Sequence, residues 1–321
     1  MGSLRLIGDI GGTNARFAIA QDGRFDHLRI LHTGDYPSLA EAMRTYLAGL
    51  SGALRPALAA IAVAGPVSGD HVALTNQNWS FSIVETGAEL GLAELLVLND
   101  FAAASMAIPF FTPADLMPIG GGAALAGGPV VMVGPGTGLG MATLVPAAGG
   151  WMQLASEGGH ATMPAADDEE SRILDLLRGW HGHVSAERVL SGQGLTHLYE
   201  AVCHLAGQAP GSREPADITA GGLAGSDPAA ARALDLFCAM LGTVAGNLAL
   251  TLCATGGTYL AGGILPRFKE RLAASAFRQR FEAKGRLAAY LATIPTWLVT
   301  HQFPAFLGLA NLDAFGPARR A

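Results

Sequence analysis

The chain has 321 residues, 50% of them hydrophobic and 14% charged, with a net charge of −6. That length suits about two domains. The composition excludes a disordered chain, and the acidic balance offers no basic surface for nucleic acid. Three cysteines, Cys203, Cys238 and Cys253, show neither metal nor redox spacing and read as small buried hydrophobes in a reducing compartment.

Leu6 to Asp9 reads as a strand, Gly11, Gly12, Thr13 and Asn14 as a tight turn, and Ala15 to Ala20 as a returning strand. Glycine and asparagine suit the positive φ angles of a tight hairpin. Without side chains, the glycines let backbone N–H groups approach an anion, and Asp9 stands at the mouth of the turn. Phosphate held by a hairpin, with a metal ion near Asp9, is the expectation. No basic region or apolar signal core precedes this strand, which points to the cytoplasm. RFDHLRILHTG adds a third strand, and residues 33–50 form an amphipathic helix with Pro37 near its first turn. ALAAIAVAGPV is a strand buried on both faces, HVALTNQNW a short strand and loop, and SIVETGAELG a short helix. ELLVLNDF is a second buried strand, ending in Asn99 and Asp100.

Around Pro109 to Gly128 the composition turns to Pro, Gly and Ala, and a domain boundary is placed there. Val130 to Val145 then repeats the strand, Gly/Thr turn, strand pattern through Gly134, Gly136, Thr137 and Gly138. Two such hairpins imply a duplicated unit with a nucleotide phosphate chain between the halves. The chain contains no GxxxxGK[ST], and its only lysines are Lys269 and Lys284, so this is not a P-loop. GPGTGLG runs into a strand, which disfavours a dinucleotide fold. Beyond it come a helix with an acidic first turn (Asp167 to Glu170), to which no chemistry is assigned, and a helix pair broken near Gly192. His181 and His183 read as surface residues. A long uncharged stretch from Leu236 to Pro266 follows; its polar residues and glycines split it into a buried helix and a buried strand rather than a membrane span. A basic helical segment, a last strand and a final helix that packs back on the first domain complete the chain.

The polar residues at strand ends and in glycine loops carry the candidate chemistry. Asp100 could accept a proton from a substrate hydroxyl and Asn99 could hold neighbouring hydroxyls, but the same pair would also cap the next helix. Glu157 and His160 lie three apart in a glycine loop, either as sugar contacts or as stray polar residues. Glu187 follows Ser185 at a helix start, where the helix dipole alone explains a carboxylate. Gly262 and Gly263 either let the backbone pass a flat ring such as adenine or serve helix–strand packing.

Taken together, GDIGGTNARFA, TNQNWSFS, LNDFAAASMAIP, GPGTGLG, EGGH, GHVSAERVLSG and AGGILPRF resemble, in order and spacing, the proteobacterial-type bacterial glucokinase family of the sugar kinase, heat-shock ATPase and actin superfamily. The resemblance runs from Leu6 to about Asn311. It implies an α/β protein of two ribonuclease H-like (actin-like ATPase) domains with an interdomain cleft. The small domain would be 1–110 plus 301–321 and the larger one 111–300. The implied activity is ATP-dependent phosphorylation of glucose at its 6-hydroxyl. Asp100 would be the catalytic base, with Asn99, Glu157, His160 and Glu187 on the sugar. Gly8, Asp9, Ile10, Gly11, Gly12, Thr13 and Asn14, with Gly134, Gly136, Thr137 and Gly138, would cradle phosphates, Gly262 and Gly263 would meet the adenosine, and Asp9 would lie near Mg²⁺ through water. A cytoplasmic homodimer, without nucleic acid or membrane partner, is implied as well. Ser156 stands where the family more often has glycine, FLGLANL departs from the expected small-residue tail, and no cysteine-rich zinc motif is present. A kinase for mannose or fructose and a non-catalytic sugar sensor are the alternative readings.

Overall fold

The structure, a computed structural model, describes residues 3–52, 54–74 and 79–315, without the Ala155 side chain. Thr75 to Asn78, the start of TNQNWSFS, lie outside the described residues. The chain divides into two compact units, one of Met1–Thr112, Pro146–Ala155 and His301–Ala321, the other of Pro113–Val145 and Ser156–Thr300. Segment 146–155, expected with the larger domain, belongs to the first unit. Its Trp151 bridges to Phe315, and a Cβ at Gly150 would overlap the Ala314 carbonyl.

In the first unit, β1 (Arg5–Ile10), β2 (Asn14–Gln21) and β3 (Arg24–His32) form an antiparallel meander. Helix α1 (Leu39–Ala48) starts later than the sequence predicts. Ser38 takes the N-cap, its hydroxyl accepting from the Glu41 N–H, so Pro37 falls outside the first turn. Strand β4 (Leu58–Val63) runs parallel to β1, and β5 (His71–Ala73) pairs with β6 (Ser80–Ser82) as a separate ribbon. Helix α2 (Ile83–Glu89), β7 (Glu94–Asn99) and α3 (Asp100–Ser105) follow. The sheet order is β3-β2-β1-β4-β7, with β7 parallel to β4. Leu6, Phe17, Met43, Tyr46 and Ile61, all fully buried, lie in its core. The C-terminal helix Pro304–Ala310 packs in this unit, where a Cβ at Gly308 would overlap the Ala103 carbonyl and Phe303 and Phe306 meet Phe25.

In the second unit, β8 (Leu116–Gly120) occupies the stretch where composition alone places the domain boundary. Met117 and Ile119 give it an apolar face against the core, and it pairs with the last strand of the unit. Strands β9 (Val130–Pro135), β10 (Leu139–Ala147) and β11 (Gly150–Ser156) form a second meander, whose far turn belongs to the first unit. Helices α4 (Asp168–His181), α5 (Ala186–Val189), α6 (Gly192–Leu205), α7 (Pro215–Ala224) and α8 (Pro228–Thr251) lead to β12 (Gly257–Leu260). The basic segment is not one helix but three short ones, α9 (Lys269–Ala274), α10 (Phe277–Glu282) and α11 (Ala288–Thr293), and β13 (Thr296–Val299) follows. The order β11-β10-β9-β12-β13-β8 repeats the first sheet's pattern of meander plus two parallel strands, with β8 added antiparallel.

Helix α8 is long and apolar enough to cross a membrane, but 78% of its most apolar window is buried within the protein. Its Gly242 and Gly246 are packing sites, because Cβ atoms there would crowd the Phe277 and Phe281 carbonyls of α10. Cys203 and Cys238 are buried as expected, whereas Cys253 is exposed. It sits at φ 48° in the turn after α8, which leaves its side chain outside the core.

Candidate active site

Strands β1, β4 and β7 run parallel and in register, so Asp9 lies beside Ala62, and Asn99 beside Val63, at one carboxyl edge. Ligands of α/β sheets bind at such edges. The connection after β1 is Gly11–Thr13, closed by a Gly11 N–H donating to the Asn14 carbonyl at 2.9 Å. Thr33 braces it, its hydroxyl donating to Gly12 O (3.1 Å) and its N–H to Thr13 O (3.0 Å). None of Gly11, Gly12, Thr13 or Asn14 takes a positive φ, contrary to the expectation from the sequence. The loop is held instead by its own Gly11–Asn14 backbone hydrogen bond and by the two that Thr33 donates.

What stands over each Cα separates the roles of these residues instead. A Cβ at Gly8 would stand 2.7 Å from Ile61 Cδ1, so Gly8 serves sheet packing. Ile10 buries its side chain in the core. At Gly11 a Cβ would meet only Asn14 O at 3.6 Å, and at Gly136 nothing lies within 4 Å. The fold leaves room for side chains there, and their absence opens the backbone to whatever approaches from outside.

Asp9 and Arg16 are cross-strand partners, and the Arg16 guanidinium donates to Asp9 Oδ2 at 3.1 Å. Burial raises the Asp9 carboxyl above its usual range while Arg16 opposes the rise. Asn99 is the N-cap of α3, its Oδ1 accepting from Phe101 N (2.9 Å) and Ala102 N (3.0 Å). Its Nδ2 donates to Gly65 O at 3.1 Å, which leaves one amide hydrogen for a ligand. Both of its sequence readings thus fit one geometry. Asp100 opens α3, and its Oδ1 accepts from Phe101 N at 2.7 Å. Burial, then the charge of Asp9, pushes its carboxyl up to about 6 despite backbone N–H groups that pull the other way.

In the second unit, Glu187 does more than face a helix dipole. Its Oε2 accepts from Leu139 N at 2.8 Å, and its Oε1 lies 3.9 Å from His160 Nδ1. His160 Nε2 is in turn 3.9 Å from Glu157 Oε2, so the imidazole stands between two carboxylates. A short antiparallel contact makes this possible: Ala186 N donates to Ala161 O (2.9 Å) and Met163 N to Val184 O (3.0 Å). Gly159 lets the loop pass β10, since a Cβ there would overlap Leu139 O, and Gly138 leaves space that Glu187 fills. Glu187 Oε2 is held by the β10 backbone, but its Oε1 and the Glu157 and His160 side chains keep donor and acceptor positions that can hold the hydroxyls of a sugar.

Beside the second hairpin lies a pocket of about 400 Å³, lined among others by Gly136, Thr137, Gly263, Ile264, Pro215 and Thr219. Gly262 has a structural reason, φ 87° against the Pro135 carbonyl, whereas a Cβ at Gly263 would meet nothing within 4 Å. Its lining joins apolar Leu195, Pro215 and Ile264 to the hydroxyl residues Thr137 and Thr219 and to Arg267, which suits a flat heterocycle with a polar tail.

The Glucokinase family model matches residues 6–314. The chain belongs to the glucokinase family. A glucokinase of Nitrobacter hamburgensis is 55% identical over 97% of this chain and 98% of its own, and one of Paramagnetospirillum magneticum is 52% identical with the same coverage. The crystal structure of a glucokinase from an Antarctic psychrotroph, 37% identical, superposes with a TM-score of 0.90 over 97% of this chain and 98% of that one. The fold is the actin-like ATPase fold of these glucokinases. The sequence reading of this glucokinase-family chain missed Arg16 and the α7 wall of the pocket. Cross-strand counting from the Gly11–Thr13 loop finds Arg16 opposite Asp9, but no local signal marks Pro215 or Thr219, which reach the pocket only through helix packing.

Proposed function

We propose that this protein transfers the γ-phosphoryl group of ATP to the 6-hydroxyl of glucose, giving glucose 6-phosphate, with Asp100 as the general base. The observation that carries the assignment of the base is the buried Asp100 carboxyl at about 6, at the start of α3 directly after β7 and within reach of the Asp9 charge. A carboxylate so placed is ionised at neutral pH yet more basic than an ordinary aspartate, which suits removal of a hydroxyl proton as the oxygen attacks phosphorus. Asn99 donates its remaining amide hydrogen to the sugar, and Glu157, His160 and Glu187 take further hydroxyls. The bare backbones at Gly11 to Asn14 and at Gly134 to Gly138 receive the phosphates, and the pocket beside Gly263 receives the adenosine. Phosphoryl transfer asks the protein mainly for positioning and neutralisation of charge, and these parts supply both.

A magnesium ion fits the donor set. Among the described residues no group of three or more His, Cys, Asp or Glu could cage a metal. Mg²⁺ bound with a nucleotide needs only one or two carboxylates, and Asp9, reached through water, presents hard oxygen beside the charge of Asp100. When bound, the ion would neutralise developing charge on the phosphate oxygens. Cytoplasmic residence and a homodimer without nucleic acid or membrane partner complete the proposal, and light scattering during gel filtration tests the dimer.

Steady-state assays with Mg·ATP and glucose, mannose, fructose or N-acetylglucosamine test the substrate. Turnover concentrated on glucose and lost in Asp100→Asn is expected. Preference for another hexose would move the assignment to that sugar, and sugar binding without turnover would make the protein a sensor.

A further inference from the structure

Glu187 rides on α5, a helix of only four residues, Ala186–Val189. So short a helix has too few internal hydrogen bonds to fix its own orientation. Its N-terminal end is tied by the Ser185 cap, whose hydroxyl accepts from Arg188 N at 3.2 Å. Its C-terminal carbonyls have no helical successor, and such groups need outside partners. For Arg188 O that partner is the imidazole of His197, at 2.9 Å from Nδ1. A carbonyl only accepts, so Nδ1 carries the proton.

His197 is 6% exposed and belongs to α6. One turn before it on the same helix, Gly194 brings α6 close under α5, where a Cβ would lie 2.5 Å from Val189 C. The other ring nitrogen, Nε2, lies 3.4 Å from the Gln193 amide, and the ring of His181 packs at 4.6 Å. The buried imidazole thus donates Nδ1–H to the backbone carbonyl directly after Glu187.

We propose that His197 is a positioning residue for the sugar site: its Nδ1–H fixes the α5 backbone so that the Glu187 carboxylate stays between Leu139 N and His160. The proposal rests on the reading of Glu187 as a sugar ligand. It concerns affinity for the sugar and not the chemical step, because Asp100 and the phosphate hairpins make no use of His197.

Three variants decide it. Asparagine places an amide N–H near the position of Nδ1, whereas glutamine places it near Nε2. His197→Gln should raise the KM for glucose about tenfold with kcat within about twofold, and His197→Asn should stay within about threefold of the parent in both. A role in packing alone would lower Tm in the two variants alike without this split in KM. Equal glucose KM values for the two would overturn the proposal. Glu187→Gln serves as the control. If it leaves the glucose KM unchanged, the sugar-ligand reading itself fails; if it raises KM while both His197 variants do not, only the role of His197 fails.

Discussion

As the proposed base, Asp100 would serve catalysis at a cost to the fold. Its carboxyl titrates near 6 in the folded protein, against 3.8 ordinarily. A base must be ionised, so log kcat/KM for glucose should fall below pH 6 with a slope of one, and a pH–rate profile between 5 and 8 checks it. The same shift acts on stability. Below pH 3.8 both folded and unfolded chains hold the proton and the penalty is absent. It grows as pH rises through the window to about 6 and is complete above it. At about 1.4 kcal/mol per pKa unit, the penalty at neutral pH is of order 1–3 kcal/mol. Asp100→Asn should therefore abolish turnover yet raise the unfolding free energy at pH 7.5, with little gain at pH 4. Urea titrations at both values measure this, and a destabilised variant at pH 7.5 would contradict the buried-charge account.

At the scale of elements, the glycine hairpins separate packing from binding. Gly136 has neither a positive φ nor a neighbour within 4 Å of a Cβ. Gly136→Ala should keep the parent Tm within about 2 °C while weakening ATP several-fold, since backbone approach to phosphate is what the methyl group obstructs. Fluorescence titration with a nucleotide analogue beside a melting curve tests both halves. A second element-level feature is the anchoring of α4. Its Glu170 is fully buried, accepts from Ala166 N at 2.8 Å and pairs with Arg280 of α10 at 2.8 Å. From the sequence only a helix with an acidic first turn is visible there. Arg280→Met would strand that carboxylate, and loss of one partner of a buried pair typically costs about 3–5 kcal/mol. Chemical denaturation should show a loss of that order, partly recovered by adding Glu170→Gln.

At the scale of the whole molecule, the chain crosses between its two units four times, at the boundaries near residues 112, 145, 155 and 300. The first unit is therefore not a contiguous stretch. Its helix Pro304–Ala310 packs on α3, and Asn311 donates to Gly23 O at 3.2 Å. A fragment of residues 1–112 lacks this helix and segment 146–155, so it should show no cooperative melting and poor dispersion in a proton–nitrogen NMR spectrum. Cooperative folding of that fragment alone would show the returning segments to be dispensable.

The sequence by itself determined the hairpin pair, the buried parallel strands and the polar residues at their ends, because these depend on local signals: runs of apolar residues, glycine turns and a strand that stops at Asn99–Asp100. It also carried enough joint motif to indicate the family. Tertiary structure decided what lies between distant segments. The strand within the boundary segment appears only through its pairing with β13. The division of roles among glycines depends on what stands over each Cα. Glu187 could be told from a dipole-facing carboxylate only when Leu139 N and His160 were seen beside it, and His197 acquired a part only through the Arg188 carbonyl it meets. Such contacts join residues far apart in the chain, and period, propensity and spacing describe neighbours along it.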